Sequence, residues 1–342
     1  WHDPHRRQAH GEGQEPTAST VTVASGARIE ANGRRAGDGG EVVVWSEDRT
    51  RFAGEIEARG GVEAGDGGFV EVSGRAQLDF QGLVNTMAPQ GKAGTLLLDP
   101  YNLTINNSAD ANISVNTAGN PIDIGSAATA SVLTWTTIAK NLNQNPGSSL
   151  VIQATGGAGS EAGNITIAAA SPDLRLSTSQ TLTFKAAGDI VVNTGAGVYS
   201  TDGAKAPTAT GTFAFIAGTS GAGKAVSIGS TSTIKASDLS IKADTINFNG
   251  GKIDTAQSQY YEGSAVVASS TFLTGKTIAF AQAVTGSADL TIGASVTASL
   301  PKGLSGLANL TFSSGGKSTE IGSSITTTGK QTYNNPVVLK AD

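Results

Sequence analysis

The chain has 342 residues, a net charge of −5, no cysteine, 45 glycines and only 5% aromatic residues. These values exclude disulfide cross-links, and they give no reason to propose nucleic acid as a partner, which would need a basic stripe. No stretch of about 18 apolar residues is present, so we predict no membrane span. So few large apolar side chains suit a thin, repeated core better than globular domains, because each repeat of a solenoid is buried mainly by its neighbours.

Residues 1–20 are predicted to form a loop or an incomplete repeat. They contain Pro4, Pro16 and all three histidines of the chain, His2, His5 and His10, without periodicity. The uneven histidine spacing and the lack of a matching carboxylate pattern do not fit a metal site. We therefore expect no metal and no cofactor in this segment.

Residues 21–98 contain a 28-residue repeat. Its two full copies begin at Gly37 and Gly65 and read GDGGEVVVWSEDRTRFAGEIEARGG and GDGGFVEVSGRAQLDFQGLVNTMAP, and a third begins as GKAGTLLLDP. In each copy, small or apolar residues alternate with charged ones, which predicts strands with one buried face. The predicted core residues of the repeat are Val42, Val44, Phe52, Ile56, Val70, Val72, Phe80 and Val84.

A repeat unit made of strands and glycine-rich turns fits either propeller blades or a β-solenoid. In a solenoid the copies lie about 4.8 Å apart, and equivalent residues touch. That arrangement predicts three contacts between the copies, namely Glu47 with Arg75, Arg51 with Asp79, and Phe52 with Phe80. Because the paired charges are opposite, the sequence favours the solenoid, and the exposed pairs are expected to set register rather than add stability.

Beyond residue 98 the composition shifts to Ser, Thr, Ala, Gly and Asn. A looser motif, a polar turn residue followed by apolar, hydroxyl and apolar residues, starts at Asn102, Asn164, Thr181, Asp238, Asp289 and Asn309. Most spacings lie near multiples of about 20 residues, the length of one three-stranded coil. A second match, at one constant offset, relates Ile253–Tyr261 to Ile325–Tyr333. We therefore predict that residues 99–342 continue the β-helix and are truncated in mid-repeat.

Two segments depart from the strand pattern. In residues 132–143, Leu133, Ile138 and Leu142 lie near helical spacing, which predicts one short helix near 134–143. Residues 195–211 are rich in Gly, Ala and Thr and are predicted to be a loop excursion.

The run from Gly37 to Ile105 resembles the large exoproteins of Gram-negative two-partner secretion, the filamentous-haemagglutinin-like and high-molecular-weight adhesins. The resemblance rests on the two GDGG units, LDFQGLV and GKAGTLLLDPYNLTI, and the later GKQTYNNPVVLKAD is similar to another repeat of such proteins. It implies an all-β fold, a right-handed parallel β-helix (β-solenoid), secreted through an outer-membrane two-partner secretion transporter and displayed at the bacterial cell surface. No signal peptide or secretion domain of that family is seen, so we interpret the chain as an internal segment and expect the transporter contact for the parent protein only.

Five N-x-[ST] sequons occur, at Asn102, Asn106, Asn112, Asn164 and Asn309. Some high-molecular-weight adhesins are glycosylated on such asparagines, so the resemblance implies these five as candidate glycosylation sites. In a chain rich in Ser and Thr, sequons also arise from composition alone. An intact mass equal to that of the unmodified sequence would exclude the modification.

Three further patterns point to chemistry only weakly. The GDGG turns are similar to parts of a calcium-binding β-roll, but a single Asp in each long repeat favours a plain turn. The stretch GTSGAGKAVS lacks the hydroxyl of a phosphate loop, because Ala225 follows Lys224. The acidic residues are scattered or alternate with arginines, so the sequence predicts no catalytic residue and no enzyme.

These features lead us to expect a structural and adhesive stem of a large secreted or surface-displayed bacterial exoprotein. Its partner is expected to be a host receptor or a matrix polysaccharide. Two alternatives stay open: a polysaccharide-binding or polysaccharide-cleaving β-helix, and the stalk of a toxin-delivery or haem-capture exoprotein.

Overall fold

The computed structural model describes residues 16–107, 131–156, 162–204, 208–219, 221–313 and 315–340. These residues form mainly β-strands that pair in parallel, together with one α-helix. The chain divides into two compact units, Trp1–Gly163 and Asn164–Asp342. The predictions of a mostly-strand chain, of parallel pairing and of one short helix are therefore confirmed.

The described part of the first unit contains twelve strands and the helix. Their bounds are β1 Thr20–Val23, β2 Arg28–Glu30, β3 Glu41–Ser46, β4 Arg49–Phe52, β5 Glu55–Glu57, β6 Phe69–Gly74, β7 Gln77–Phe80, β8 Leu83–Asn85, β9 Thr95–Leu98, β10 Leu103–Asn106, β11 Ser131–Thr134, α1 Trp135–Gln144 and β12 Ser149–Ala154.

Three parallel stacks organise this unit. One stack contains β3, β6 and β9, the second β1, β4 and β7, and the third β2, β5 and β8. The pair β3–β6 joins Glu41 to Phe69, and the β4–β7 and β5–β8 pairs keep the same offset. Each copy of the sequence repeat is therefore a set of three strands, and each strand pairs with its equivalent in the next copy.

The alternating apolar side chains of these strands form the core. Among the eight residues named as the repeat core, Val42 is half-buried, while the other seven are buried: Val44, Phe52, Ile56, Val70, Val72, Phe80 and Val84. Leu96 and Leu98 of the third copy pair with Val70 and Val72 and are buried as well. The period-2 alternation thus separates the buried from the exposed face, as expected for strands.

The three contacts expected between the copies are present. Arg75 Nη1 lies 2.9 Å from Glu47 Oε2, and Arg51 Nε lies 3.7 Å from Asp79 Oδ2. The rings of Phe52 and Phe80 stack with centroids 5.5 Å apart and planes 8° from parallel. Hydrogen bonds from Arg75 and Thr17 hold the pKa of Glu47 below its usual value. Like-positioned residues of consecutive repeats therefore touch directly, which excludes the propeller alternative for this segment.

Helix α1 covers the free edge of the third stack. Thr134 is its N-cap, and the Thr134 side chain accepts a hydrogen bond from Thr137 N. Asn141 Oδ1 accepts from Val84 N (3.0 Å), and Asn145 Nδ2 donates to Val84 O (2.6 Å). The two asparagines, one helical turn apart on one helix face, thus supply the hydrogen bonds that a neighbouring strand would otherwise make to β8.

The described part of the second unit contains eighteen strands. Their bounds are β13 Ile165–Ile167, β14 Ala170–Asp173, β15 Thr181–Ala186, β16 Ile190–Val192, β17 Gly197–Tyr199, β18 Thr212–Ala217, β19 Ala225–Ile228, β20 Thr233–Ala236, β21 Asp238–Thr255, β22 Ser258–Phe280, β23 Val284–Gly286, β24 Leu290–Leu300, β25 Leu304–Leu307, β26 Leu310–Phe312, β27 Ser318–Ile321, β28 Ile325–Thr327, β29 Gln331–Tyr333 and β30 Val337–Leu339.

The second unit also stacks its strands in threes. β18, β19 and β20 follow one another along the chain, and the single long strand β21 pairs with all three in the same order. β22 then pairs along β21, and Leu239 with Gln259 and Ile253 with Leu273 keep one offset. That offset equals the spacing of about 20 residues predicted from the recurring motif. One motif spacing is therefore the length of chain that contributes one strand segment to each of the three stacks.

β17 corrects one sequence prediction. It lies inside residues 195–211, which were expected to be a loop, and it pairs with β14 and β20. Val198 is fully buried, so a single apolar residue among glycines and hydroxyls is enough to hold this short strand. The rest of the described segment forms turns, with one antiparallel bridge between Thr201 and Ala209.

The match between Ile253–Tyr261 and Ile325–Tyr333 reflects a local contact rather than stacked repeats. Gln259 Nε2 donates to Ile253 O (3.3 Å), and Tyr261 Oη donates to Gln259 Oε1 (2.7 Å). The second copy makes the same two bonds, at 3.3 and 2.9 Å, within Ile325, Gln331 and Tyr333. The pairing register runs from Ile253 through intermediate strands to Tyr333, so the two copies lie in different stacks.

The burial of Tyr261 leads us to expect a loss of stability at alkaline pH. It is fully buried, stacks on Phe280 (centroids 4.8 Å apart), and burial raises its pKa well above the usual value. Because the unfolded chain releases this proton near pH 10, its stabilising effect is complete below pH 10 and is lost as the pH rises towards the folded value. We expect the urea midpoint to fall between pH 9 and pH 11, and to fall less in Tyr261→Phe.

The neighbouring Tyr260 supplies the control, because it is exposed. Tyr260→Phe should keep the pH dependence of the unchanged chain. Lysine titration affects all three proteins alike, so the difference between the two tyrosine variants carries the result. Equal slopes for Tyr261→Phe and Tyr260→Phe would show that Tyr261 is not the group responsible.

Candidate functional site

The described residues contain no group of three or more His, Cys, Asp or Glu placed to hold a metal ion. Within the same residues, no helix is long and apolar enough to cross a membrane. The three histidines belong to residues 1–15, which lie outside the described ranges. Neighbouring repeats in the described ranges form two grooves, one lined by residues 38–41, 66–69 and 92–95, the other by residues from 230–233, 249–252 and 269–272.

The two GDGG turns use their aspartates as hydrogen-bond acceptors. Asp38 Oδ1 accepts from Asp66 N, and Asp66 Oδ1 accepts from Lys92 N, both at 2.8 Å. Gly67 is required by close approach, because a Cβ at that position would lie 1.9 Å from Thr86 O. The turn interpretation thus accounts for the acidic residue and for the glycine, and each aspartate ties its repeat to the next.

In the stretch GTSGAGKAVS, the described residues before Ala225 lie outside strands and helices, and strand β19 follows them in place of a helix. Gly223 N and Lys224 N both donate to the Asp244 carboxylate, the second over 3.2 Å. A phosphate loop needs its backbone N–H groups for the ligand. Here two of them are already used, in agreement with the missing hydroxyl at Ala225.

The polar first residue of the recurring motif also links neighbouring repeats. Asn164 Oδ1 accepts from Asp189 N, and Asp189 Oδ1 accepts from Ala225 N, both at 2.8 Å. Asp238 Oδ1 accepts from Ser258 N at 3.2 Å. At these positions, Asn or Asp places a short side-chain oxygen within reach of the backbone of the next repeat.

Four of the five candidate glycosylation asparagines belong to the residues that the structure describes. Asn309 Nδ2, the atom that would carry a glycan, donates to Asp289 Oδ1 at 2.7 Å. Asn102 and Asn106 are half-buried at the two ends of β10, and Asn112 lies outside the described residues. A glycan on Asn309 would replace a donor in this contact between repeats, and glycosylation stays a prediction.

The second unit contains an open, shallow groove, which we call the Phe272 groove. Three segments of consecutive repeats form it: the turn and strand start at residues 230–233, residues 249–252 within β21, and residues 269–272 within β22. Its volume is about 420 Å³. The lining residues are Ser230, Thr231, Ser232, Thr233, Asn249, Gly250, Gly251, Lys252, Ser269, Ser270 and Phe272.

Phe272 is the distinctive residue of this groove. It sits on the outward face of β22 between buried Thr271 and Leu273, and 50% of its surface is exposed. Its register partners are Lys252 on one side and Thr291 on the other. A large aromatic side chain on an otherwise polar outer row loses the benefit of burial, so its exposure points to a contact surface.

Three polar side chains of the groove have no hydrogen-bond partner among the residues that the structure describes. Thr231, Asn249 and Ser270 make no side-chain hydrogen bond to any residue that the structure describes, and Thr231 and Ser270 are exposed. By contrast, Ser232 Oγ donates to Asn193 O (2.8 Å), which holds the turn in place. The groove therefore presents available hydroxyl and amide groups on a fixed backbone.

The backbone of the groove is tightly determined. Thr231 has φ 56°, a left-handed conformation that is uncommon for a β-branched residue. Gly251 has φ 91°, and a Cβ there would lie 2.5 Å from Ser232 O. Lys252 is the charged residue of the lining, and its Nζ lies 3.8 Å from Asp254 Oδ2. The site is therefore nearly neutral, hydroxyl-rich and flanked by one aromatic ring.

No protein-family profile matches the chain, and no curated protein matches it in sequence. The chemistry of the groove therefore rests on its own residues. The sequence analysis did not predict this site, because its three segments lie about 20 residues apart along the chain and become neighbours only when the strands stack. The available signal was Phe272 itself, an aromatic residue in an outward position of the alternating pattern.

Proposed function

We propose that this chain is a structural and adhesive stem of a large secreted or surface-displayed bacterial exoprotein. The observation that carries the proposal is the direct stacking of equivalent residues, such as Phe52 on Phe80 and Arg75 on Glu47. A stack of this kind adds about 4.8 Å per circuit, so length grows with repeat number and the side facing solvent stays polar. Such a molecule extends a binding surface away from its anchor.

The finer form of the fold is part of the proposal: a right-handed parallel β-helix. Its support is strand β21, which follows the preceding circuit through three stacks without interruption. Parallel strands joined by crossovers are right-handed in about 98% of cases. The resemblance of residues 37–105 to two-partner secretion exoproteins adds the route, an outer-membrane transporter acting on the parent protein.

Cysteine pairs test the coil, because the chain has no cysteine of its own. Three outward Thr/Ser pairs, one in each stack, are in register: Thr285 with Ser305, Thr291 with Thr311, and Thr297 with Ser318. Each pair, replaced by cysteines, is expected to form a disulfide on mild oxidation, since paired strands hold their Cα atoms about 5 Å apart. The mismatched pair Thr285→Cys/Thr311→Cys is the control, and equal cross-linking of it would contradict the register.

Beads coated with the purified chain test the adhesive part. We expect them to attach to animal cell layers or to polysaccharide-coated plates more than albumin-coated beads do. Attachment at the albumin level on every surface would leave the stem without an adhesive role. A polysaccharide-binding protein is the second candidate function, and the Phe272 groove is the observation that favours it.

A further inference from the structure

We propose that the Phe272 groove binds a segment of a neutral polysaccharide, with one pyranose ring stacked on Phe272 and its hydroxyls bonded to the polar side chains of the neighbouring repeats. The inference rests on the proposed adhesive function, since it names the class of ligand that this surface takes. It assigns roles to three groups: Phe272 as the stacking platform, Thr231, Asn249 and Ser270 as hydrogen-bond partners, and Lys252 as a donor to sugar hydroxyls.

The groove combines one aromatic ring with several hydroxyl groups, and this combination matches the two faces of a sugar ring. A pyranose has an apolar C–H face and a polar rim, and it therefore needs an exposed aromatic face beside unpartnered hydrogen-bond groups. Phe272 offers half of its surface, while Thr231 and Ser270 are exposed and unpaired within the described residues. The volume of about 420 Å³ falls in the range of small-ligand sites, about 300–1,000 Å³.

Other partners fit less well. A protein partner needs roughly 800 Å² on this side with an apolar centre, whereas Phe272 is the one large apolar side chain of the groove. Nucleic acid needs several cations along a path, and the lining has only Lys252. A lipid surface needs a broad apolar face. A chain of sugars requires only an open groove with one exposed ring and hydroxyl or amide groups beside it, and the lining residues provide both.

The charge balance favours a neutral glycan over an acidic one. The lining contains Lys252 and no carboxylate, but the ammonium lies 3.8 Å from Asp254, which offsets its charge. An acidic polymer would meet one half-neutralised cation and gain little from it. The turns are held by Gly251 and by the Ser232–Asn193 bond, so the groove does not have to order itself on binding.

Titration of the whole purified chain with defined oligosaccharides tests the proposal. Neutral probes are gluco-, manno- and galacto-oligosaccharides, and acidic probes are oligo-uronates, with ligand-observed NMR and calorimetry as readouts. We expect at least one neutral probe to bind, and Phe272→Ala to weaken it by about tenfold or more, the value of one good aromatic contact. Phe272→Tyr should retain binding, because it keeps the ring.

The matched control is Tyr260→Ala, which removes another exposed aromatic residue of the same strand but outside the groove. It should leave binding unchanged. Thermal unfolding of Phe272→Ala should stay near that of the unchanged chain, since the ring is half exposed. A loss of binding with a native melting curve therefore reports the groove and not the fold.

The proposal is overturned if no neutral probe binds, if only oligo-uronates bind, or if Phe272→Ala and Tyr260→Ala behave alike. The proposed function fails differently. Oligosaccharide binding without attachment of coated beads would remove the adhesive stem and keep the groove. Attachment that is unaffected by Phe272→Ala would keep the stem and remove the groove.

Discussion

Replacing Asn141 and Asn145 together by alanine is expected to lower the free energy of unfolding of the first unit by about 2 kcal/mol or more, because several buried backbone groups lose their partners. The two side chains satisfy Val84 N, Val84 O and Gly82 O, with distances from 2.6 to 3.2 Å. A buried backbone group left without a partner costs about 1–3 kcal/mol. The higher helix propensity of alanine acts at Asn141 only, because Asn145 is the C-cap, and it offsets less than about 1 kcal/mol of the total. Urea denaturation followed by far-UV circular dichroism measures the change.

Asn143→Ala is the matched control for this prediction. Asn143 belongs to the same helix but is exposed, so its replacement should leave stability equal or slightly higher. The double variant should also expose the edge of β8, and an uncovered edge strand promotes association with other chains. Size-exclusion chromatography is expected to show oligomers of the double variant only. Equal stability of the double variant and the control would mean that helix α1 does not cap β8.

Replacing Phe80 by alanine is expected to cost about 3–5 kcal/mol, the usual range for a buried Phe. The Phe80 ring is 2% exposed and stacks on Phe52 at 5.5 Å, so the substitution removes both the burial and the stacking. The repeat cannot collapse around the cavity without breaking the register of β4 and β7, which joins Arg51 to Asp79 as well. The urea midpoint of the first unit should fall accordingly.

Two controls separate this effect from a general loss of aromatic residues. Phe80→Leu keeps most of the volume and should cost less than about 2 kcal/mol. Phe272→Ala removes an exposed ring and should change stability by no more than about 0.5 kcal/mol. If Phe80→Ala and Phe272→Ala lower the free energy of unfolding equally, the packing of Phe80 on Phe52 does not make a special contribution to the stability of the first unit.

The sequence alone contained the repeat and its register. A constant period, alternating apolar positions and opposite charges at Glu47 and Arg75 were enough to predict which residues touch across copies, and the structure shows those contacts. This works because a strand exposes every second residue to the same face and because parallel copies align like with like. The helix was predicted from spacing alone, and its observed bounds, Trp135–Gln144, lie within one residue of the prediction.

One match in the sequence reflects local contacts and not stacked repeats. The likeness of Ile253–Tyr261 to Ile325–Tyr333 suggests a long repeat, but its copies occupy different stacks and share only the local bonds of the Gln and Tyr side chains. The segment 195–211 has the composition of a loop, yet β17 lies inside it because the strands before and after it in the stack supply its backbone partners. For β17, the pairing partners and not the local residues determined that a strand forms.

What the sequence determined by itself is the repeating unit: its length, its buried face and the order of its charges, all of which follow from short-range alternation. The tertiary structure alone decided how Asn141 and Asn145 satisfy the edge of β8, and how segments of three consecutive repeats meet around Phe272. The reason is that a free strand edge and a groove belong to no single segment. They exist only once the chain has come back beside itself, and the residues that then become neighbours are set by the length of each circuit.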